Sequence, residues 1–246
     1  PNQSIAQPSL GLSNKPTGES SSVQVTSDLS ETALSSRTLW PESDKLYGHG
    51  DDLQCVTACE GCIASASRAT LAGDTSIRIW MLDDENLNYT LKHTCQPHTL
   101  TVCRLAFSHD KSRLLSVSRD RSLAVTSVEQ GTVLSIVKDA HLRIIWDCAW
   151  IDKQRFVTVS RDKTMRMWTL CDDNTCKLLK EWQFESGLTA VAVAVDLGQI
   201  LIGLEDGRVL KMNIDYDEIS LQLTRLNGRI NRILHRNGYL VITSDD

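Results

Sequence analysis

Aromatic residues are scarce in this chain, with Phe, Trp and Tyr at 5% of 246 residues, and only five prolines are present. No run approaches the roughly 20 consecutive apolar residues of a helical membrane span, so no contact with a membrane is expected. No basic stretch followed by an apolar one opens the chain, so nothing marks it for secretion. Eight cysteines in 246 residues fall far below the density of a disulfide scaffold, and they read as reduced thiols of the cytoplasm or nucleus. The motifs G-x4-G-K-[ST], G-x-S-x-G and H-E-x-x-H are all missing. An enzyme is therefore not expected, nor is a cofactor. The chain opens on Pro1 rather than Met, which suggests a piece of something larger.

The net charge of −5 argues against a general polycation, but the charge is unevenly spread. His98 to Trp168 holds 12 Lys/Arg against 7 Asp/Glu, which leaves 14 against 24 in the remainder. A basic centre in an acidic chain is a candidate anion-binding face. Residues 1–38 contain ten serines and no sustained period, and read as a flexible Ser-rich linker or loop. From residue 39 to 246, short Val/Ile/Leu/Thr runs alternate with Gly, Asp, Asn and Ser clusters, an all-β pattern of many short strands.

Self-similarity sets the architecture. SVSRDRSLAVT (116–126) and TVSRDKTMRMW (158–168) are near copies, each following an apolar run that begins at His98 or His141. A weaker copy runs from His49 through Ser65 to Asp74 and Trp80. The turn aspartates Asp120, Asp162, Asp206 and Asp246 are spaced by 42, 44 and 40 residues. A period of roughly 40–45 with a Gly-His start and a Trp close is the WD-repeat signature. The expected fold is thus a WD40 β-propeller of about five blades, the last stopping at its second strand. Each blade is a four-stranded antiparallel sheet that cannot cover its own apolar faces. In WD proteins, the resemblance implies, the turn Asp bonds the loop His, the His a strand Ser/Thr, and the Ser/Thr the Trp indole. The expected structural network comprises His49, Asp74 and Trp80; His98, Ser116 and Asp120; and His141, Thr158, Asp162 and Trp168. Thr126 replaces the Trp of the second set, and only Asp206 survives in the fourth, with Met212 six residues on.

More specific motifs lie in order along the chain: LGLSNK (10–15), TLWPE (38–42), KLYGHG (45–50), SRDR (118–121), RIIWDC (143–148) and SRDK (160–163). Together they resemble the stretch leading into the second propeller of the Elongator complex protein 2 family, over about Leu10 to Trp168. The later blades rest on the repeat alone. The resemblance implies a non-catalytic scaffold in a complex that modifies wobble uridines of tRNA. The chemistry would belong to a separate radical-SAM subunit, held together with the largest scaffold subunit, and the propeller would itself contact tRNA. The alternative is a generic WD40 adaptor, for example of a ubiquitin ligase. The Trp-Asp-x-Arg feature of such receptors is absent, because Met81 follows Trp80 and Thr169 follows Trp168.

Cys55, Cys59 and Cys62 have the C-x3-C-x2-C spacing of a radical-SAM cluster. They fall on a predicted hairpin rather than an open loop, so buried thiols are expected instead. Cys171 and Cys176 bracket an acidic loop without a histidine, and read as solvated. The sharper candidates are Arg119, Arg121, Arg143, Arg161 and Lys163, which occupy equivalent turn and loop positions of adjacent repeats. Either they dock a partner or RNA on one end of the propeller, or they pair internally or form plain solvated surface. Small aliphatic neighbours suggest no aromatic stacking platform among them. Arg104 and Asp147, each six residues after a repeat histidine, are expected to form an ion pair between blades.

Overall fold

A strand whose two faces are both covered carries apolar residues without alternation, and Arg155–Ser160 (RFVTVS) is buried at its last five positions. Runs of this kind recur through the computed structural model, which describes residues 45–69, 75–83, 88–214, 219–236 and 238–245. The segment 1–38 and Asp74 lie outside the described residues. Residues 47–246 form one compact unit.

Among the described residues, eighteen strands make five sheets, each laid out in chain order. Blade 1 holds β1 (Leu53–Cys59), β2 (Cys62–Ser67), β3 (Ile77–Asp83) and β4 (Asn88–Cys95). Blade 2 holds β5 (Val102–Phe107), β6 (Arg113–Ser118), β7 (Leu123–Ser127) and β8 (Val133–Val137). Blade 3 holds β9 (Ile145–Trp150), β10 (Arg155–Ser160), β11 (Thr164–Leu170) and β12 (Cys176–Gln183). Blade 4 holds β13 (Leu188–Ala194), β14 (Gln199–Leu204), β15 (Arg208–Asn213) and β16 (Ile219–Arg225). The fifth sheet has only β17 (Ile230–Arg236) and β18 (Tyr239–Ser244). All pairings are antiparallel, and the first strands β1, β5, β9, β13 and β17 neighbour one another in turn. Among the described residues this is a β-propeller arrangement of four four-stranded blades and a two-stranded fifth sheet, with no strand pairing that closes a ring.

The core lies between blades rather than within them. Val157, Val159, Met165 and Met167 of blade 3 pack on Leu188, Val191, Ile200, Ile202 and Met212 of blade 4. Leu115, Val117, Leu123 and Val125 of blade 2 meet Cys148, Trp150, Phe156 and Trp168 of blade 3. Each fully buried Val, Leu, Ile or Met contributes about 1.5–3 kcal/mol. Neighbouring blades therefore stabilise one another. Outer strands contribute less: β12 (CKLLKEWQ) is exposed along most of its length, and its charges guard an open edge.

Antiparallel alternation places the inter-blade loops and the turns between second and third strands at one end of the sheets. Every first strand also carries one extra residue near that end. The registers skip from Leu53 to Cys55, Val102 to Arg104, Ile145 to Asp147, Leu188 to Ala190 and Ile230 to Arg232. A bulge of this kind bends the strand and re-aims its extra residue, which in blade 3 is Trp146.

Candidate partner-binding face

The turn end of blade 3 is held by a continuous polar chain. Trp168 Nε1 donates to Thr158 Oγ1 at 2.9 Å, and Thr158 Oγ1 lies 2.8 Å from His141 Nε2. His141 Nδ1 reaches Asp162 Oδ2 at 3.1 Å and Thr164 Oγ1 at 3.0 Å. The indole must donate, so the chain closes with Thr158 donating to Nε2 and Nδ1–H pointing at Asp162, a neutral imidazole assigned from its network. Asp162 also accepts from the N–H groups of Leu142 and Thr164, both at 2.9 Å. Burial raises its carboxyl, but the hydrogen bonds from His141, Thr164 and Leu142 outweigh that and hold it below the usual carboxylate range. Burial pushes His141 down, against the pull of Asp162.

Blade 2 departs from the implied pattern. His98 Nδ1 binds Ser122 Oγ at 2.7 Å and stands 3.6 Å from Asp120, so the carboxylate is reached through the hydroxyl. Thr126, in the Trp position, is fully buried against Cys95. His98 Nε2 still meets Ser116 Oγ at 2.8 Å. In blade 1, His49 Nε2 and Trp80 Nε1 both meet Ser65 Oγ, at 2.8 and 2.9 Å. In blade 4, among the described residues, Asp206 accepts only from its own turn, through the backbone N–H and Nε of Arg208. Sequence reasoning missed Ser122 and Thr164, although S-R-D-x-[ST] repeats in both blades. A side-chain hydroxyl two residues after a turn Asp is the signal.

These turns, with the loop before β9 that carries Arg143, present the five candidate cations. Arg119 N–H donates to the Thr101 carbonyl and Arg161 N–H to that of Ile144, so each turn is tied to the loop before its blade. All five side chains are exposed. Two pair internally: Arg121 with Asp139 at 2.8 Å and Arg161 with Glu205 at 3.5 Å. Among the described residues, Arg119, Arg143 and Lys163 have no ion-pair partner. Arg121 and Lys163 both adopt left-handed backbone at φ 71°, as Gly207 does at φ 83° in blade 4. A Cβ at Gly207 would strike the Leu226 carbonyl oxygen, so that turn requires glycine. The other two turns carry cations there, at a backbone cost of about 1–3 kcal/mol each.

An aromatic side chain also stands beside these loops. The guanidinium of Arg229, just before β17, lies 4.4 Å from the centroid of the half-buried Trp146 ring. Trp146 Nε1 and Arg229 Nε are both buried, and neither has an acceptor among the described residues. Each donor left in this way costs about 1–3 kcal/mol. The expectation of purely small and aliphatic neighbours is corrected here, because the bulge in β9 turns the Trp toward the loop of a blade two places on.

Arg104 and Asp147 pair at 2.9 Å, between blades 2 and 3. The same carboxylate accepts from Cys148 N–H at 2.9 Å and from Val191 N–H of blade 4 at 3.1 Å, so it ties three first strands together. Cys55 is buried, with its thiol directed at the Val102 carbonyl, while Cys59 and Cys62 oppose each other across the β1–β2 turn. Burial pushes the Cys55 thiol up to about 12 and that of Cys59 to about 11. Cys55 and Cys59 are thus separated along β1 with both thiols held protonated, while Cys62 faces Cys59 from β2, a poor arrangement for a cluster. Cys171 and Cys176 are half-buried at the ends of the loop between β11 and β12.

The WD domain, G-beta repeat family matches residues 89–126 and 131–169. The chain is 38% identical to Elongator complex protein 2 of Arabidopsis thaliana over 199 residues, covering 75% of this chain and 23% of that protein. It is 31% identical to Elongator complex protein 2 of Saccharomyces cerevisiae over 284 residues, covering 97% of this chain and 36% of that one. The Cps50 (Swd1) β-propeller domain of Myceliophteria thermophila superimposes with a TM-score of 0.65 at 14% identity, covering 80% of this chain and 64% of that domain, a likeness of fold alone. The chain spans about a quarter to a third of the length of the curated relatives it matches. With four whole blades, repeated Asp–His turns and this run of relatives, the chain belongs to the Elongator complex protein 2 family of WD-repeat proteins.

Proposed function

We propose that the chain is part of a non-catalytic scaffold in an Elongator-type complex that modifies wobble uridines of tRNA, acting in the cytoplasm and also in the nucleus. Its turn end is the surface that meets the other subunits, namely the radical-SAM enzyme and the largest scaffold subunit, and tRNA. The observation that carries this reading is the backbone at Arg121 and Lys163. A left-handed position is easiest for Gly or Asn, yet both turns place an exposed cation there. Strain kept at an exposed charged position is the mark of a surface that is used. The rigid frame beneath supports it, since Asp120 and Asp162 fix both turns through backbone N–H groups of the adjoining loops.

The test is an Arg119→Glu, Arg143→Glu variant of the full-length protein, which changes two cations without internal ion pairs. The variant should melt as the wild type does and recover less of the other Elongator subunits. Anisotropy of the assembled complex with tRNA at two salt concentrations reads the RNA contact, because binding through phosphates weakens steeply with salt. Wild-type recovery and wild-type tRNA binding together would sink the assignment of this end.

A further inference from the structure

The stacked pair Trp146 and Arg229 stands where the first strands of blades 3 and 5 begin, beside the Arg143 loop. Among the described residues its indole N–H and its guanidinium Nε both lack an acceptor, although buried donors almost always find one. No described residue accepts from the Arg229 side chain, so the ring contact is what holds it in place. An acceptor arriving from outside can draw the guanidinium off the ring and reach the indole edge. Trp and Arg are also the residue types that most often dominate the energy of protein interfaces.

We infer that Trp146 and Arg229 form the anchoring pocket for an acidic side chain of a protein partner, whose carboxylate is taken by the indole N–H and the guanidinium together. This rests on the reading of the turn end as a docking face. The surrounding charge favours a protein over a nucleic acid. Asp139, Glu205 and Glu185 stand among the cations, paired with Arg121, Arg161 and Arg208, so a continuous phosphate backbone would meet carboxylates as often as free cations. A single ring already covered by an arginine is also a poor platform for successive bases. A carboxylate on one side chain needs only one pair of donors.

The experiment uses the full-length protein and a fluorescein-labelled octaglutamate peptide, read by anisotropy at fixed salt, with tRNA as the second probe. Trp146→Phe keeps a ring under the guanidinium and removes only the N–H. It should weaken peptide binding about tenfold without lowering the melting temperature, and Arg229→Gln should weaken it at least as much. Arg229→Lys keeps the charge and loses the planar fork, so it should fall between wild type and Gln. Binding of tRNA should not respond to Trp146→Phe. Peptide binding at wild-type strength in Trp146→Phe and Arg229→Gln would overturn the inference. So would lowered melting with binding intact, which makes the stack a brace for the fifth sheet, or a loss confined to tRNA. The docking face itself is judged separately, by subunit recovery with Arg119→Glu, Arg143→Glu. Failure of recovery there, beside normal peptide binding in Trp146→Phe, would sink this pocket and leave the face standing.

Discussion

Blades 3 and 4 have the same four-stranded form and hold their turn ends by opposite means. In blade 3 the column His141, Thr158 and Trp168 is polar and bonded throughout, and ends on Asp162. In blade 4 the corresponding column is Phe184, Ile202 and Met212, all buried in the core shared with blade 3. Phe184 stands four residues before β13 as His141 stands four before β9. Asp206 is left to bond only its own turn. Buried polar groups that are fully satisfied and apolar groups of similar shape can be nearly equivalent in free energy. What matters is that the column be wholly one or wholly the other. A propeller repeat is thus specified by complementarity along a column, and the Asp–His–Thr–Trp set is one solution to it.

The largest expected effect cuts across both blades. Asp147→Ala leaves the half-buried Arg104 without its partner and strips acceptors from the N–H groups of Cys148 and Val191. A loss of about 3–5 kcal/mol follows. Chemical denaturation reads it, and a loss under 1 kcal/mol would mean that blades 2, 3 and 4 are joined by apolar packing alone.

Next comes the direct contrast of the turn aspartates. Asp162→Ala strands the His141 imidazole and two backbone N–H groups, for about 1–3 kcal/mol, whereas Asp206→Ala costs under about 1 kcal/mol because its partners reach solvent. Equal losses for the two variants would erase the distinction between the columns. Acid should sharpen it. His141 is held below its ordinary 6.5, so its neutral-state stabilisation is lost as pH falls through about 6.5. The Asp162 carboxyl is held below its ordinary 3.8, so its contribution is present above about 4 and lost below it. Melting curves of Asp162→Ala should therefore lose the lower part of the wild-type decline. An unchanged slope below pH 4 would remove the carboxylate from the account.

Blade 4 can be tested on its own terms. Where blade 3 has Val159 three residues before the turn Asp, blade 4 has Gly203, and a Cβ there would lie 2.9 Å from Ile230 Cβ of the fifth sheet. Gly203→Ala should cost about 1–3 kcal/mol by overpacking, seen as a lower midpoint in urea. A neutral result would mean that the fifth sheet shifts freely against blade 4. The smallest effect has the opposite sign. Lys163→Gly relieves the left-handed turn and should leave stability unchanged or raise it by up to about 1 kcal/mol, while subunit recovery falls. Stabilisation with undiminished recovery would make the cation at that turn incidental.

The His–Asp spacings, the Ser-Arg-Asp turns and the absence of helical period were legible because each is local: a turn Asp and its hydroxyl lie within a few residues. The place of Arg104 and Asp147 was legible too, since equal offsets in adjacent repeats land on neighbouring first strands. What the residues alone hid was the exchange of partner in blade 2, where Ser122 stands between His98 and Asp120. A difference of half an ångström decides whether an imidazole bonds a carboxylate or the hydroxyl beside it, and no pattern of residue types carries that.

The sequence by itself determined a propeller of repeated antiparallel blades, the turn aspartates, and the cations beside them, because period, turn chemistry and charge are written in consecutive residues. Tertiary structure alone decided which cations are paired and which stand open, and that Arg229 lies on Trp146. It alone gave the polar column of blade 3 an apolar counterpart in blade 4. The physical reason is common to all three. These contacts join residues tens of positions apart, whose meeting depends on how each blade tilts against the next and where a bulge turns one side chain.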